Sequence, residues 1–190
     1  NVALWLAPVE DDGTIGTPKR LNEGVDESVL QPTWAEDGTL YFLADRSGWW
    51  NMHRFNGGHI KPVHEISAEL GGPLWGLGSK FFELLPDHRA LIEYGNAEGV
   101  SIGFLDLASG EIKPIDLPYI GYGSLVARGN TAYFLAGLSD GPTQIVSLDL
   151  QTGVHTVIHD SGERVFTSDY LSKAEAIAFP TVSGGEAYGY

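Results

Sequence analysis

The sequence predicts an all-β fold, a partial β-propeller of about three complete four-stranded blades plus part blades. Three observations lead to this prediction. Short aromatic and apolar segments recur along the chain, glycine-containing turns separate them, and a similar unit returns about every 40 to 50 residues. That period is typical of a propeller blade with TolB-like or WD-like repeats. A single blade cannot bury both of its faces, so neighbouring blades are expected to stack.

The individual strands are predicted from runs of aromatic and β-branched residues bounded by turn pairs such as Asp-Gly, Asn-Gly and Ser-Gly. Glycine in these pairs supplies the positive φ that a tight hairpin needs. Helical periodicity is limited to residues 25–30, 65–70 and 173–176, and each of these segments spans only a turn or two. We expect strands at 3–8, 39–44, 50–55, 59–64, 80–85, 89–94, 100–107, 111–116, 122–127, 131–136, 143–149, 153–158 and 176–181.

The repeat is clearest where Leu40–Ala44 reads LYFLA and Ala132–Ala136 reads AYFLA. We assign residues 1–165 to the blades of an incomplete ring, and residues 166–190 to a last strand and a linker. Propellers typically close with about four to eight blades, so this chain has too few for a ring. Dividing the chain by the repeat gives blades at 32–64, 74–116 and 122–158, and the last two strands of a further blade at 3–21.

Composition and charge exclude several functions. The chain has 25 acidic and 11 basic residues, a formal net charge of −14 and a pI near 4.6. Phosphate binding requires clustered lysine and arginine, so neither nucleic acid nor an anionic membrane is an expected partner. The absence of cysteine excludes disulfides and thiolate metal sites. No apolar run reaches the ~20 residues of a spanning helix and the first residues lack a signal-peptide pattern, so we expect a cytoplasmic protein.

The motifs that suggest catalysis or metal binding lack the context that such chemistry requires. Residues 99–103 match the Gly-x-Ser-x-Gly pattern of a nucleophile elbow, but the elbow needs a helix after the serine, and Ser101 lies within a strand pattern. His155 and His159 could share zinc on a helix, whereas on a strand they sit roughly 13 Å apart. The other histidines are expected at the surface. We predict no catalytic residue, no metal site and no cofactor.

The most unusual local feature is a dense group of aromatic residues that includes Trp34, Trp49 and Trp50. Such rings could stack on a substrate, or they could fill the space between twisted blades, where each ring buries about 150–250 Å². Core packing is the favoured interpretation. Arg46 lies in the same segment and could pair with Asp45 or cover an indole ring. Together, the three tryptophans and Arg46 form a predicted aromatic cluster with a substrate-gating or structural role.

One segment is distinctive, because Gln31–Arg54 reads QPTWAEDGTLYFLADRSGWWNMHR. It closely resembles a stretch in the β-propeller of the prolyl oligopeptidase family of serine peptidases, in the acylaminoacyl-peptidase and dipeptidyl-aminopeptidase branch. Residues 68–78 resemble the start of the next blade in that branch, and residues 179–190 resemble the join between propeller and hydrolase domain. The resemblance spans nearly the whole chain and indicates the C-terminal half of the propeller.

In this family the propeller caps an α/β-hydrolase domain that carries a Ser-Asp-His triad, and the cap admits only short peptides. The resemblance implies that this chain is a non-catalytic, substrate-gating fragment, inactive by itself. Its implied partners are the hydrolase domain and short peptide substrates. No residue of the chain matches the catalytic motifs of the family, and no pair of glutamates in a helix supports an amino-terminus clamp. The net charge could attract basic or amino-terminal groups of peptides.

Other functions are compatible with the same repeat. A stand-alone TolB-like or WD-like propeller that binds a protein partner would have the same spacing and turns, although residues 31–54 and 179–190 favour the peptidase. A carbohydrate-active propeller would need two carboxylates that converge in space, which a sequence cannot show. An incomplete ring also exposes strand edges and blade faces, so we expect the isolated chain to form a homodimer through its open blade edges.

Overall fold

The computed structural model describes residues 2–97, 99–163, 167–172 and 175–189. This part of the chain consists of short antiparallel strands and a 3-10 helical turn at Ser168–Tyr170, and it contains no helix long and apolar enough to cross a membrane. The strands are β1 Trp5–Leu6, β2 Lys19–Arg20, β3 Val29–Trp34, β4 Leu40–Ala44, β5 Asn51–Phe55, β6 Lys61–Pro62, β7 Phe82–Leu84, β8 Arg89–Asn96, β9 Gly99–Asp106, β10 Ile112–Ile115, β11 Gly121–Arg128, β12 Thr131–Gly137, β13 Gln144–Asp149, β14 His155–Asp160, β15 Ile177–Pro180 and β16 Glu186–Gly189.

Within the described residues, three four-stranded sheets form the body of the structure, and each is an antiparallel meander in chain order. We call them the first blade (β3–β6), the second blade (β7–β10) and the third blade (β11–β14). Two-stranded sheets accompany them, namely the N-terminal sheet (β1–β2) and the C-terminal hairpin (β15–β16). This arrangement confirms the predicted all-β partial propeller.

The segment at 25–30, which has weak helical periodicity, is not helical. Its last two residues, Val29 and Leu30, begin β3, where both are buried and pair with β4. Burial of their side chains in the sheet outweighs the weak tendency of so short a segment to form a helix. Residues 173–176, a segment of the same kind, lie partly outside the described residues.

The segment at 65–70 is also not helical, because the buried side chain of Asn51 holds its backbone in another shape. The Asn51 Oδ1 accepts a hydrogen bond from the N–H of Ile66 at 2.6 Å, and its Nδ2 donates to the carbonyl of Ala68 at 3.1 Å. These bonds satisfy backbone groups that a helix would otherwise pair internally. A single polar side chain thus fixes the connection between the first and second blades.

The C-terminal hairpin contains a strand that the sequence does not reveal. Ile177–Pro180 corresponds to the strand predicted at 176–181, and Glu186–Gly189 pairs with it in antiparallel register. The second strand reads EAYG, in which glutamate, alanine and glycine have weak strand propensity. Its pairing partner, and not its own composition, makes it a strand.

Apolar side chains fill the spaces between neighbouring sheets, and their direction alternates along each strand. On β4, Tyr41 and Leu43 contact the second blade, whereas Leu40, Phe42 and Ala44 lie on the side of the N-terminal sheet. All five are buried. The second blade likewise contributes side chains to one cluster shared with the first blade and to another shared with the third. Stacking of faces therefore builds the core, as the repeat predicts.

The first and second blades are also joined by polar contacts. The Gln31 Nε2 donates to the carbonyl of Phe82 and its Oε1 accepts from the N–H of Phe81, both at 2.7 Å, and Arg54 Nη1 donates to the carbonyl of Leu107 at 3.0 Å. Gln31 has a φ of 46° and lies at a shift in the β3–β4 register, which aims its side chain at the next blade. Each of the two hydrogen bonds of the Gln31 side chain is worth about 0.5–1.5 kcal/mol. Together they offset the backbone strain of its positive φ, which costs about 1–3 kcal/mol.

The second and third blades each contain a turn that an aspartate side chain holds by the same pair of hydrogen bonds. In the second blade, Asp106 Oδ1 accepts hydrogen bonds from the N–H and the hydroxyl of Ser109 at 2.7 and 2.8 Å. In the third blade, Asp149 Oδ1 accepts the same pair of bonds from Thr152 at 2.8 and 3.0 Å. The backbone bond, followed by the side-chain bond, lowers the pKa of each aspartate. The Asp-Leu-x-Ser/Thr-Gly repeat therefore encodes a specific turn.

The glycines that end these two turns have different surroundings. Gly110 and Gly153 have positive φ angles of 78° and 73°, a region in which a side chain is strained. A Cβ at Gly110 would lie 2.5 Å from the carbonyl oxygen of Val63, just after the outermost strand of the first blade. A Cβ at Gly153 would meet nothing within 4 Å.

We predict that Gly110→Ala lowers the free energy of unfolding by about 1–3 kcal/mol more than Gly153→Ala. Both substitutions strain a turn, but only the first also pushes the second blade away from the first. Urea unfolding measures the difference, with Gly153→Ala as the matched control. Equal losses of stability would contradict the close packing of the Gly110 turn against the first blade.

Candidate functional site

Ser101, the serine of the Gly-x-Ser-x-Gly match, lies within β9, where it pairs with Tyr94 of β8. A nucleophile elbow would place this serine on a sharp turn between a strand and a helix. Gly103 has a structural reason to be glycine, because a Cβ there would come within 2.9 Å of the carbonyl oxygen of Lys113 on β10. The match therefore reflects close strand packing and does not provide a nucleophile.

The histidines do not form a metal site. His155 and His159 lie on β14, and within the described residues no group of three or more histidine, aspartate and glutamate side chains could hold a metal ion. The expectation that the remaining histidines lie at the surface is wrong for His53, which is fully buried. Its ring stacks on Phe42 at 5.8 Å and its Nδ1 donates to the carbonyl of Asn51 at 3.0 Å. Burial lowers the pKa of His53, so it packs as a neutral ring.

The structure separates the residues of the predicted aromatic cluster. Trp34 ends β3 and is 54% exposed, whereas Trp49 lies between β4 and β5, at the opposite end of the same sheet. Trp50 packs against the core between the first and second blades. The cluster thus supplies one ring to each end of the blade and one ring to the core. Its gating role stays a prediction.

Arg46 pairs with Glu27 and not with Asp45. The guanidinium Nε and Nη2 donate to the two carboxylate oxygens of Glu27 at 2.8 and 2.9 Å. Asp45 instead accepts a hydrogen bond from the N–H of Ser28 at 2.7 Å. The Glu27 side chain is fully buried, so removal of Arg46 would leave a buried carboxylate uncompensated, at a typical cost of about 3–5 kcal/mol. Arg46 therefore stabilises the segment that leads into the first blade.

Cavities lie between the first and second blades at both ends of their strands. One cavity, of about 420 Å³, is lined in part by Trp34, Tyr41 and His88. The cavity at the other end, of about 510 Å³, is lined in part by Trp49 and by Tyr188 of the C-terminal hairpin. The hairpin contains the residues that resemble a join to a hydrolase domain.

This second cavity is acidic. Its lining includes the acidic residues Glu69 and Glu93 and the aromatic residues Trp49, Phe81 and Tyr188. Among the described residues that line it, none is a lysine, an arginine or a histidine. We call it the acidic cavity. Acidic and aromatic residues around one space can provide both charge and apolar contact for a ligand.

Glu69 is held firmly in the connection between the first and second blades. Its Oε2 accepts a hydrogen bond from the N–H of Trp50 at 2.7 Å. Its backbone forms a bridge with Gly95, with N–H to carbonyl distances of 2.7 and 3.0 Å. A Cβ at Gly95 would lie 2.6 Å from the carbonyl oxygen of Gly99, so the close approach of β9 at this point requires a glycine. The bridge and the bond to Trp50 fix Glu69 relative to β8.

Glu93 is part of β8, and its N–H donates to the carbonyl of Phe81 at 3.2 Å. Burial raises the pKa of Glu93 to about 7, because its charged form loses contact with water. Glu93 pairs with Ile102, whose side chain packs toward the third blade, so the Glu93 side chain lies on that face of β8. Glu69 is therefore the acidic residue that could meet a positively charged ligand in the cavity, where aromatic residues could contact the same cation or the apolar part of the ligand.

Comparison with known proteins agrees with the fold. No protein-family model and no curated protein matches this chain. Puromycin hydrolase matches with a TM-score of 0.86 and 28% identity, over 96% of this chain and 28% of that chain. A puromycin-hydrolysing peptidase from Mycobacterium tuberculosis matches with a TM-score of 0.87 and 29% identity, over 97% and 28%. Prolyl oligopeptidase B from Galerina marginata, at 13% identity and a TM-score of 0.71 over 98% and 26%, shows the fold alone.

The fold and these similarities define the class of protein as a partial β-propeller of the type that peptidases contain. The resemblance to the prolyl oligopeptidase family that Gln31–Arg54 predicts is confirmed, and this chain is similar to a propeller portion of such a peptidase. The chain spans 28% of the length of the two puromycin-hydrolysing enzymes that it matches.

Sequence reasoning did not find the acidic cavity. Glu69 and Glu93 belong to different parts of two blades, and neither lies in a recognisable motif. Their proximity depends on how β8 packs beside the connection that contains Glu69. One usable signal exists, because Glu93 interrupts an apolar run in a predicted central strand, where a charged residue is unusual.

We predict that Glu93→Gln stabilises the chain at about pH 8 and has little effect near pH 4. The folded state raises the pKa of Glu93 from 4.5 to about 7, so folding favours the protonated carboxyl. Its contribution to stability is fully present below the unfolded pKa and is lost as the pH rises through the folded pKa. Glutamine resembles the protonated form at every pH.

Urea unfolding at the two pH values checks this prediction, with Glu111→Gln on an exposed turn as the control. A stabilisation by Glu93→Gln that is the same at both pH values would contradict the burial of a titrating carboxyl on β8.

Proposed function

We propose that this chain is the substrate-gating part of the propeller cap of a serine peptidase that hydrolyses short peptides. Residues 1–165 would form blades of the cap, and residues 166–190 would lead to an α/β-hydrolase domain that carries the catalytic residues. The similarity to puromycin hydrolase supports a peptidase, and the position of Ser101 within β9 supports a non-catalytic fragment. We expect the isolated chain to leave an aminoacyl chromogenic substrate intact.

The observation that carries the proposal is the acidic cavity beside Tyr188. A short peptide that reaches this end of the blades would place its positively charged amino terminus beside Glu69. The side chain of its first residue would contact the rings of Trp49 and Phe81. The net charge of −14 would also raise the local concentration of cationic peptides.

The same cavity favours one of the two peptidase types in the branch. A free amino terminus is cationic and donates hydrogen bonds to carboxylates, whereas acylation removes the charge and most of the donors. Desolvating Glu69 without a cation would be costly. We therefore favour the dipeptidyl-aminopeptidase type over the acylaminoacyl-peptidase type.

Binding of a dipeptide amide to this chain tests the proposal without the hydrolase domain. We expect Ala-Phe-amide to quench Trp49 fluorescence and to bind at least tenfold more tightly than its N-acetyl counterpart at pH 7.5. Glu69→Gln is expected to remove most of that preference, because it removes a charge that pairs with the ammonium but keeps an oxygen that can accept from the N–H of Trp50. Glu111→Gln serves as the matched control and is expected to retain the preference.

Equal binding of the acetylated and free peptides, or full retention of the preference in Glu69→Gln, would contradict the proposed role of the cavity.

A stand-alone propeller that binds a protein partner remains the second candidate. The exposed ring of Trp34 at the opposite end of the blades favours it, since an aromatic ring on a surface is a frequent anchor for a partner. A partner protein whose binding depends on Trp34, together with no affinity for dipeptide amides, would support this alternative. The cytoplasmic location and the self-association of the isolated chain stay predictions.

A further inference from the structure

Among the described residues, the glycines that line the acidic cavity are Gly71, Gly72 and Gly95. A glycine beside a cavity can be required by the packing of the chain, or it can leave room for a ligand. The φ angle and the atoms that a Cβ would meet distinguish these two cases, because packing that requires a glycine shows as a positive φ or as a clash.

Close packing accounts for two of the three glycines. A Cβ at Gly95 would lie 2.6 Å from the carbonyl oxygen of Gly99. A Cβ at Gly71 would lie 3.0 Å from the Cδ1 atom of Leu43 and 3.3 Å from that of Leu30. Both leucines are buried in the core between the first and second blades. A side chain at Gly71 would therefore overpack this core.

Gly72 differs from both of these glycines. It is not one of the residues with a positive φ. Among the described residues, a Cβ at Gly72 would meet only the ring of Phe81 within 4 Å, with Cε1 at 3.6 Å and Cζ at 3.9 Å. These distances are ordinary van der Waals contacts, so neither strain nor a clash requires a glycine here. What the glycine provides is open space beside the Phe81 ring, at the wall of the acidic cavity.

Phe81 is a fixed wall of that space. Its N–H donates to the Gln31 Oε1 at 2.7 Å, and its carbonyl accepts a hydrogen bond from the N–H of Glu93 at 3.2 Å. Its side chain also packs against the core between the first and second blades. Because Phe81 is held on both sides, we expect a larger residue at position 72 to extend into the cavity and not to displace the ring.

The same space lies close to Glu69, in a short segment that is fixed to Trp50. The Glu69 Oε2 accepts from the N–H of Trp50 at 2.7 Å, and the N–H of Leu70 donates to the carbonyl of Trp50 at 2.8 Å. Three residues of chain span at most about 11 Å. Glu69 and Gly72 can therefore contact one small ligand, the first through a charge and the second through the space beside it.

We propose that Gly72 determines the size of the side chain that the acidic cavity accepts, and that the cavity takes a large apolar first side chain of a peptide between Gly72 and the ring of Phe81. This inference rests on the proposed function, because Glu69 is the residue that positions the amino terminus of the peptide. A leucine side chain would bury apolar surface against Phe81, whereas an alanine side chain would leave much of the space unfilled. Glu69 thus selects for charge and Gly72 selects for size.

Isothermal titration calorimetry of the full 190-residue chain with Leu-Ala-amide and Ala-Ala-amide at pH 7.5 tests the proposal. We expect the wild type to bind the leucine peptide about tenfold more tightly, as is typical for a larger side chain that fills an apolar pocket. Gly72→Val is expected to remove this preference by weakening the leucine peptide alone. Gly72→Ala is expected to reduce it, because one added carbon fills only part of the space.

Gly123→Val on β11 is the matched control. A Cβ at Gly123 would meet nothing within 4 Å, and Gly123 does not line the acidic cavity. This variant is expected to keep the preference of the wild type for leucine. Circular dichroism checks that the variants fold, and Gly72→Ala replaces Gly72→Val if the valine variant does not. A merely structural role of Gly72 would weaken both peptides equally and would leave their ratio unchanged.

N-acetyl-Leu-Ala-amide separates this inference from the proposed function. If the wild type keeps its preference for the free amino group but a folded Gly72→Val keeps the leucine preference, only the role of Gly72 is overturned. If the acetylated peptide binds as tightly as the free one while Gly72→Val still removes the leucine preference, the role of Glu69 is contradicted and the role of Gly72 is supported. Equal binding of both free peptides by the wild type overturns the role of Gly72, and the absence of any peptide binding overturns both roles.

Discussion

Each four-stranded sheet in this chain has two apolar faces, and both must be shielded from water before the sheet is stable. The stacking of one face on the next meets this requirement for the second blade, whose Ala90 and Ile92 face the first blade while Leu91 faces the third. Polar contacts fix how neighbouring blades are oriented relative to each other. Gln31 and Arg54 reach across to backbone carbonyls that lie at fixed positions once the faces have packed.

Stacking also creates the places where ligands can bind. Twisted sheets that pack closely at mid-strand diverge at the ends of their strands, and the two cavities between the first and second blades lie at those ends. At one end the walls carry Glu69 and Glu93, which come from separate elements and share a space only because the blades stack. The burial that supports the fold is also the cause of the raised pKa of Glu93. The same physical effect thus shapes both the core and the candidate site.

Much of the fold is readable from the sequence, because the blade repeat carries local signals. The YFLA strands, the Asp-Leu-x-Ser/Thr-Gly turns and the alternation of apolar residues together fix strand order and turn positions. The sequence-based predictions are wrong where tertiary contacts determine the local structure. Residues 65–70 follow the side chain of Asn51, and Glu186–Gly189 becomes a strand through its partner β15. His53 is buried although histidine is usually exposed, because it stacks on Phe42. The acidic cavity cannot be predicted for the same reason, since no local sequence pattern indicates which residues of two blades lie close together.

Native-state hydrogen exchange on the dilute chain tests most directly whether face-to-face stacking stabilises the structure. The second blade has a four-stranded neighbour on each face, so the amides of β8 and β9 should exchange most slowly, through global unfolding. Amides of β12 should exchange faster, because no described residue covers the second face of the third blade, and those of the N-terminal sheet should exchange fastest. Equal protection of β1, β8 and β12 would contradict the account, because it would show that each sheet is as stable with one covered face as with two.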